Sequence, residues 1–302
     1  ISTLLLMTTF SAAGLLVTKI AQPPKYISAA TISPNYASEK NYDLIIKNTN
    51  AVPTDDTAML VSHHLLVGKQ IAATIARAAT TQPITVVIIS PDHFDVGTKS
   101  LMTTTAYWQT PYGKVNASPL TKKILTNFSS PAEDAPQKIR SEHGIYTLLP
   151  FIKYWLPNAQ VVPIAISNFA DQKTLFAFAK TLNELLPKNS LIIGSFDFSH
   201  LQNRVLAEWQ TDYAEQVIKN MEPNAVPLVH VDSQTGLGFF LDILTERGLT
   251  QTNIIDKTNS GVILKRWDMT DVTSYIFATF TRGPKQNKKI FSAVIVPSTA
   301  PF

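Results

Sequence analysis

The sequence predicts an α/β domain with a largely parallel central sheet and helices on both faces. Three observations predict it. Short Val/Ile/Leu runs recur along the chain, as strands buried on both faces require. Between most of them lie longer stretches with apolar residues at helical spacing. No internal repeat or low-complexity tract breaks the alternation, so residues 41–282 read as one domain, with an N-terminal segment and linker over 1–40 and a tail over 283–302.

The strand-like runs are "DLIIK" (43–47), "AMLVS" (58–62), "TVVIIS" (85–90), "QVVPIAIS" (160–167), "SLIIGSF" (190–196), "NIIDKT" (253–258) and "SYIFATF" (274–280). The helical patterns are "GKQIAATIARAA" (68–79), "LTKKILTNF" (120–128), "GIYTLLPFIKYW" (144–155) and "DQKTLFAFAKTLNELL" (171–186). Two more follow, "VLAEWQTDYAEQVIKNM" (205–221) and "GLGFFLDILTERG" (236–248).

Composition excludes several classes. With 302 residues and 45% hydrophobic content the chain can bury a sizeable core. The formal charge is only +4 and its basic residues are scattered, with one cluster, "RGPKQNKK", that lacks interleaved aromatics. Nucleic-acid binding is therefore not expected. The absence of cysteine removes disulfides, thiolate ligands and a Cys nucleophile. At the N-terminus, "ISTLLLMTTFSAAGLLVTKI" has no charge before Lys19 and gives way to a polar, proline-bearing stretch. It fits a signal h-region or signal-anchor, hence export or a membrane tether, with an amphipathic docking segment as the alternative.

Three strand-like runs end in histidine. "AMLVSHHL" leads to His63 and His64, "TVVIISPDHFD" to His93, and "SLIIGSFDFSH" to Asp197 and His200. One such histidine would read as a surface-loop residue. Three suggest a shared site, because ligands of open α/β sheets bind beyond the carboxyl ends of the strands.

In order and spacing, "VSHHLLVG", "IISPDHF", "SEHGIYTLLPFI" and "GSFDFSHL" resemble the Memo family, also called AmmeMemoRadiSam system protein B. The resemblance covers roughly residues 43–280 and implies a fold like that of class III extradiol ring-cleaving dioxygenases. It implies metal-type histidines at His64 and His93, and further cleft residues at His143, Asp197 and His200. Tyr146 and Leu148 stand where the family carries a glutamate and a second histidine. The family's late cysteine aligns with Asp232, which could complete a two-histidine, one-carboxylate iron site or simply cap the following helix.

Two main functions follow from the resemblance. One is a redox or ring-cleaving enzyme that binds Fe(II), or else copper or zinc, at His64, His93 and Asp232. His143, Asp197 and His200 would then orient substrate or move protons. The other is a non-catalytic adaptor that takes a peptide or small ligand in the same cleft. Metal-assisted hydrolysis is a third reading.

Overall fold

A computed structural model describes residues 31–34, 36–50 and 52–283. The strands are β1 (Thr31–Ile32), β2 (Ala58–Val61), β3 (Ile84–Pro91), β4 (Leu101–Thr103), β5 (Tyr107–Thr110) and β6 (Gly113–Ala117). They continue as β7 (Ala132–Asp134), β8 (Ala159–Ile166), β9 (Leu191–Ser195), β10 (Phe198–Gln202), β11 (Gln251–Asn259) and β12 (Val272–Thr281). The helices are α1 (Glu39–Lys47), α2 (Gly68–Ala76), α3 (Pro119–Asn127), α4 (Pro136–Ile139) and α5 (His143–Tyr146). They continue as α6 (Leu149–Trp155), α7 (Gln172–Leu185), α8 (Arg204–Asn220), α9 (Gln234–Glu246) and α10 (Ser260–Ile263).

The main sheet path runs β1-β5-β6-β8-β3-β9-β2-β12-β10. Its centre, β6-β8-β3-β9-β2, is parallel throughout. β12 then runs antiparallel to β2, β10 and β11. The predicted α/β class with a largely parallel sheet is therefore what the chain adopts.

Alternation along the central strands feeds two cores. Leu60, Val87 and Ile89 face a cluster with Phe178, Phe239 and Phe240 of α7 and α9. Met59, Val61, Val86 and Ile88 face the opposite cluster with Ile71, Phe151 and Ile152 of α2 and α6. Both faces of the parallel strands are apolar because both are covered.

The structure corrects the sequence reading at several elements. "DLIIK" is the end of α1, not a strand: Ser38 caps the helix by accepting from Asn41 N–H, and Tyr42 and Ile46, four residues apart, are its buried face. The helix expected over 144–155 is two helices, with Pro150 in the first turn of α6, where a missing N–H is tolerated. The short strands β4 to β7 lack the long apolar runs that betray the central ones. β1 lies in the stretch expected as linker, pairs with β5 and buries Ile32.

The apolar N-terminal segment and the tail from 284 onward lie outside the described residues. Among the described residues, no helix is long and apolar enough to cross a membrane.

Candidate metal centre

Neighbouring parallel strands bring the site together. β3, β9 and β2 are adjacent in that order and all run the same way. Their carboxyl ends therefore deliver His93, Asp197 and His63–His64 to one edge of the sheet. His143 opens α5, which packs on β3. Asp232 arrives from the segment before α9, where its backbone N–H donates to the Asp197 carbonyl at 3.0 Å.

His63, His93 and His143 form a group whose candidate ligand nitrogens all lie within 4.8 Å of one another. The rings pack closely, with centroids 4.0 Å apart for His93–His143 and 4.8 Å for His63–His93. The sequence reading had put His64 in this position. His63 takes it instead, because successive side chains of an extended segment project to opposite sides. His64 turns away and its Nδ1 lies 2.7 Å from the Tyr275 hydroxyl. His143, expected to handle substrate or protons, stands within the group itself.

Hydrogen bonding fixes which nitrogens face inward. Glu142 caps α5 by accepting from Gly144 N–H at 2.8 Å, and it also accepts from His93 Nδ1–H at 2.6 Å and His93 N–H at 3.0 Å. His93 is left with its Nε2 facing the group, toward Asp232 Oδ2. Ser195 Oγ spends its one proton on the Gly144 carbonyl at 2.6 Å, so it accepts from His63 Nδ1–H at 3.1 Å. His63, held neutral by burial, presents an unprotonated Nε2. This close packing needs glycine at 144, since a Cβ there would fall 2.1 Å from Ser90 Oγ.

Two carboxylates meet these nitrogens. His63 Nε2 lies 3.5 Å from Asp197 Oδ2 and 3.5 Å from Asp232 Oδ2, and His93 Nε2 lies 3.6 Å from Asp232 Oδ2. Lone pairs and carboxylate oxygens that converge in a buried pocket repel unless a proton or cation sits between them. That crowding shifts the ionisation of each group. Burial, then the Asp232 charge, pushes Asp197 up to about 7. Burial likewise holds Asp232 above the usual carboxylate range. Burial opposes the charged form of His93, but the Asp232 and Glu142 carboxylates outweigh it and raise His93 to about 10. Burial, then His93, lowers His143 to about 4, and burial drives His63 well below its ordinary value.

Asp232 is not the helix cap. Ser233 caps α9 by accepting from Gly236 N–H at 3.0 Å. Asp232 Oδ2 instead accepts from Asp197 N–H at 2.8 Å, while its Oδ1 is buried with no hydrogen-bond partner. An orphaned carboxylate oxygen beside the His63 and His93 rings fits a metal ion held by the histidine group. Asp197 is further fixed by a short hydrogen bond from Ser62 Oγ. His200 lies within β10, its Nε2 buried and unpartnered, its pKa lowered by burial against the opposing charge of Asp232.

Of the residues singled out from sequence, His93, His143, Asp197 and Asp232 gather here, with His200 at the edge and His64 outside the group. The sequence points to His63 only beside His64 at one strand end and to Glu142 only within the family's Glu-His motif, and Ser195 carries no signal there.

Residues 43–237 match the Memo-like protein family. The chain belongs to the Memo-like family. A MEMO1 family protein of Thermotoga petrophila is 28% identical over 204 residues, 65% of this chain and 72% of its own length. Another, from Pyrobaculum aerophilum, is 28% identical over 130 residues, 42% of this chain and 46% of its own. The chain thus spans less than half the length of that Memo-like relative. A solved structure of an uncharacterized Escherichia coli protein aligns with 72% of this chain and 98% of its own, at 14% identity and a TM-score of 0.45.

Proposed function

We propose that this Memo-like protein is a non-haem metalloprotein whose cleft supports redox or dioxygenase-like chemistry. The observation that carries this is the convergence of ring nitrogens from His63, His93 and His143 within 4.8 Å of one another, beside the orphaned Asp232 oxygen. His63, His93, His143 and Asp232 would hold the ion. A set of imidazoles with one carboxylate and no thiolate suits Fe(II) first, with copper or zinc as the alternatives. When bound, such an ion would supply Lewis acidity and, for iron or copper, one-electron redox capacity.

The protein's own groups would do the rest. Asp197, raised to about 7, is poised to hold or release a proton at Oδ2 near neutral pH. His200, with an unpartnered Nε2, would orient a substrate group. We take the ligand to be a small molecule or a peptide, with no role for nucleic acid, and the N-terminal segment to be a membrane tether.

A second reading is a binding protein that uses the cleft without turnover. It is favoured by an apolar rim at Phe94, 55% exposed with its ring centroid 6.1 Å from that of His143. Hydrolysis with bound zinc would be the third outcome.

The test is metal analysis of protein purified without an affinity tag, followed by anaerobic Fe(II) titration and oxygen-uptake assays. One equivalent of iron or copper, lost in His63→Ala, is the expected result. No metal retained and no Fe(II) binding would leave the binding-protein reading. Zinc with no oxygen uptake would favour hydrolysis.

A further inference from the structure

Helix α5 carries a second feature at its other end. Tyr146, with Pro34, Gln137, Arg140 and Ser141, lines an open cavity of about 310 Å³. None of these five residues is acidic. Arg140 is exposed and forms no ion pair among the described residues. The nearby Lys138 is already engaged with Glu133 at 3.3 Å.

Three polar side chains of this cavity can donate. Arg140 offers a guanidinium fork, Gln137 an amide, and Tyr146 a phenol that is protonated at neutral pH. Ser141 Oγ has spent its proton on the Lys138 carbonyl at 3.0 Å. The one adjacent acid, Glu142, is 1% exposed and turned toward His93 and Gly144. Tyr146 is held in place by the edge of Tyr36, with ring centroids 5.7 Å apart at 88°.

Position links the cavity to the histidines. His143 and Tyr146 are three residues apart on one helical turn, so their Cβ atoms are about 5–6 Å apart on one side of α5. We propose that the cavity is an anion-binding subsite, taking the carboxylate or phosphate of a ligand whose other end reaches His143. The reach to His143 rests on the metal-centre reading; the anion site itself does not. Bidentate contact with a planar guanidinium is the interaction such oxyanions favour.

Inorganic phosphate and acetate, titrated separately into the metal-free full chain by calorimetry, test the site. At least one should bind, with affinity reduced at least tenfold in Arg140→Ala, less in Arg140→Lys, and about threefold in Tyr146→Phe. Phosphate alone would mark a phosphorylated ligand, and acetate alone a carboxylate. Fe(II) affinity should not change in Arg140→Ala, so failure of the metal reading stays separable from failure of this one. Binding of neither anion, or equal binding by Arg140→Ala, would overturn the site. A His143 ring resonance that moves on anion addition supports the shared ligand, and one that does not move removes that link.

Discussion

Glu142 holds His93 at both ends, accepting from its Nδ1–H at 2.6 Å and from its backbone N–H at 3.0 Å. The same carboxylate caps the helix that begins with His143. One buried side chain therefore sets the position of two of the three grouped imidazoles. Glu142→Gln should keep the fold and weaken metal affinity by about 10–100-fold, the usual effect of losing a carboxylate behind a ligating histidine. Glu142→Ala should also cost about 2–4 kcal/mol of stability, since several buried donors lose their acceptor. Metal titration and urea unfolding of both variants check this.

Substituting the adjacent histidines separately decides which one belongs to the centre. His63→Ala should abolish metal retention. His64→Ala should leave it nearly intact, because His64 Nδ1 is committed to Tyr275 rather than to the group. Equal metal loss in both variants would contradict the geometry.

Asp232 and Ser233 separate ligation from capping. Asp232→Asn and Asp232→Ala should both weaken Fe(II) binding, with the metal-free Asn variant close to the parent in stability because its amide oxygen can still accept from Asp197 N–H. Ser233→Ala should bind Fe(II) normally yet lose about 1 kcal/mol through the lost cap. Calorimetric titration alongside melting curves distinguishes them.

The metal-free protein should lose stability as pH rises from 7 toward about 10. His93 is raised from 6.5 to about 10, so its contribution is complete below 6.5 and is lost as pH climbs through the folded value. Asp197, raised from 3.8 to about 7, loses its contribution earlier, between those values. His143, lowered to about 4, acts in the opposite sense, but only as pH falls below 6.5. Above neutrality the His93 effect is the largest of these three, and Asp232, also held above its ordinary range, acts in the same sense. Melting temperatures across this range should fall for the parent and flatten for His93→Gln. Metal affinity should rise over the same window, because the ligating imidazole must shed its proton.

Much of this was legible in the amino-acid sequence. Val86–Ile89 and Leu191–Ile193 are continuous apolar runs because both faces of a parallel strand are buried, and that pattern survives in any context. Parallel neighbours must end on the same edge, so His93 and Asp197 were bound to meet once their strands paired. What only the tertiary structure decided were choices between near neighbours. His63 and His64 share a strand end and differ only in side. Ser195 on one side and Tyr275 on the other, both far away in sequence, determine which ring enters the cleft. Asp232 and Ser233 could each have capped α9, and the Asp197 N–H drew Asp232 away. The "DLIIK" run has residues that suit strand or helix, and the cap at Ser38 with the buried Tyr42–Ile46 face settled it. Local sequence sets periodicity and strand ends, but the assignment of a particular polar side chain depends on partners that folding brings from elsewhere.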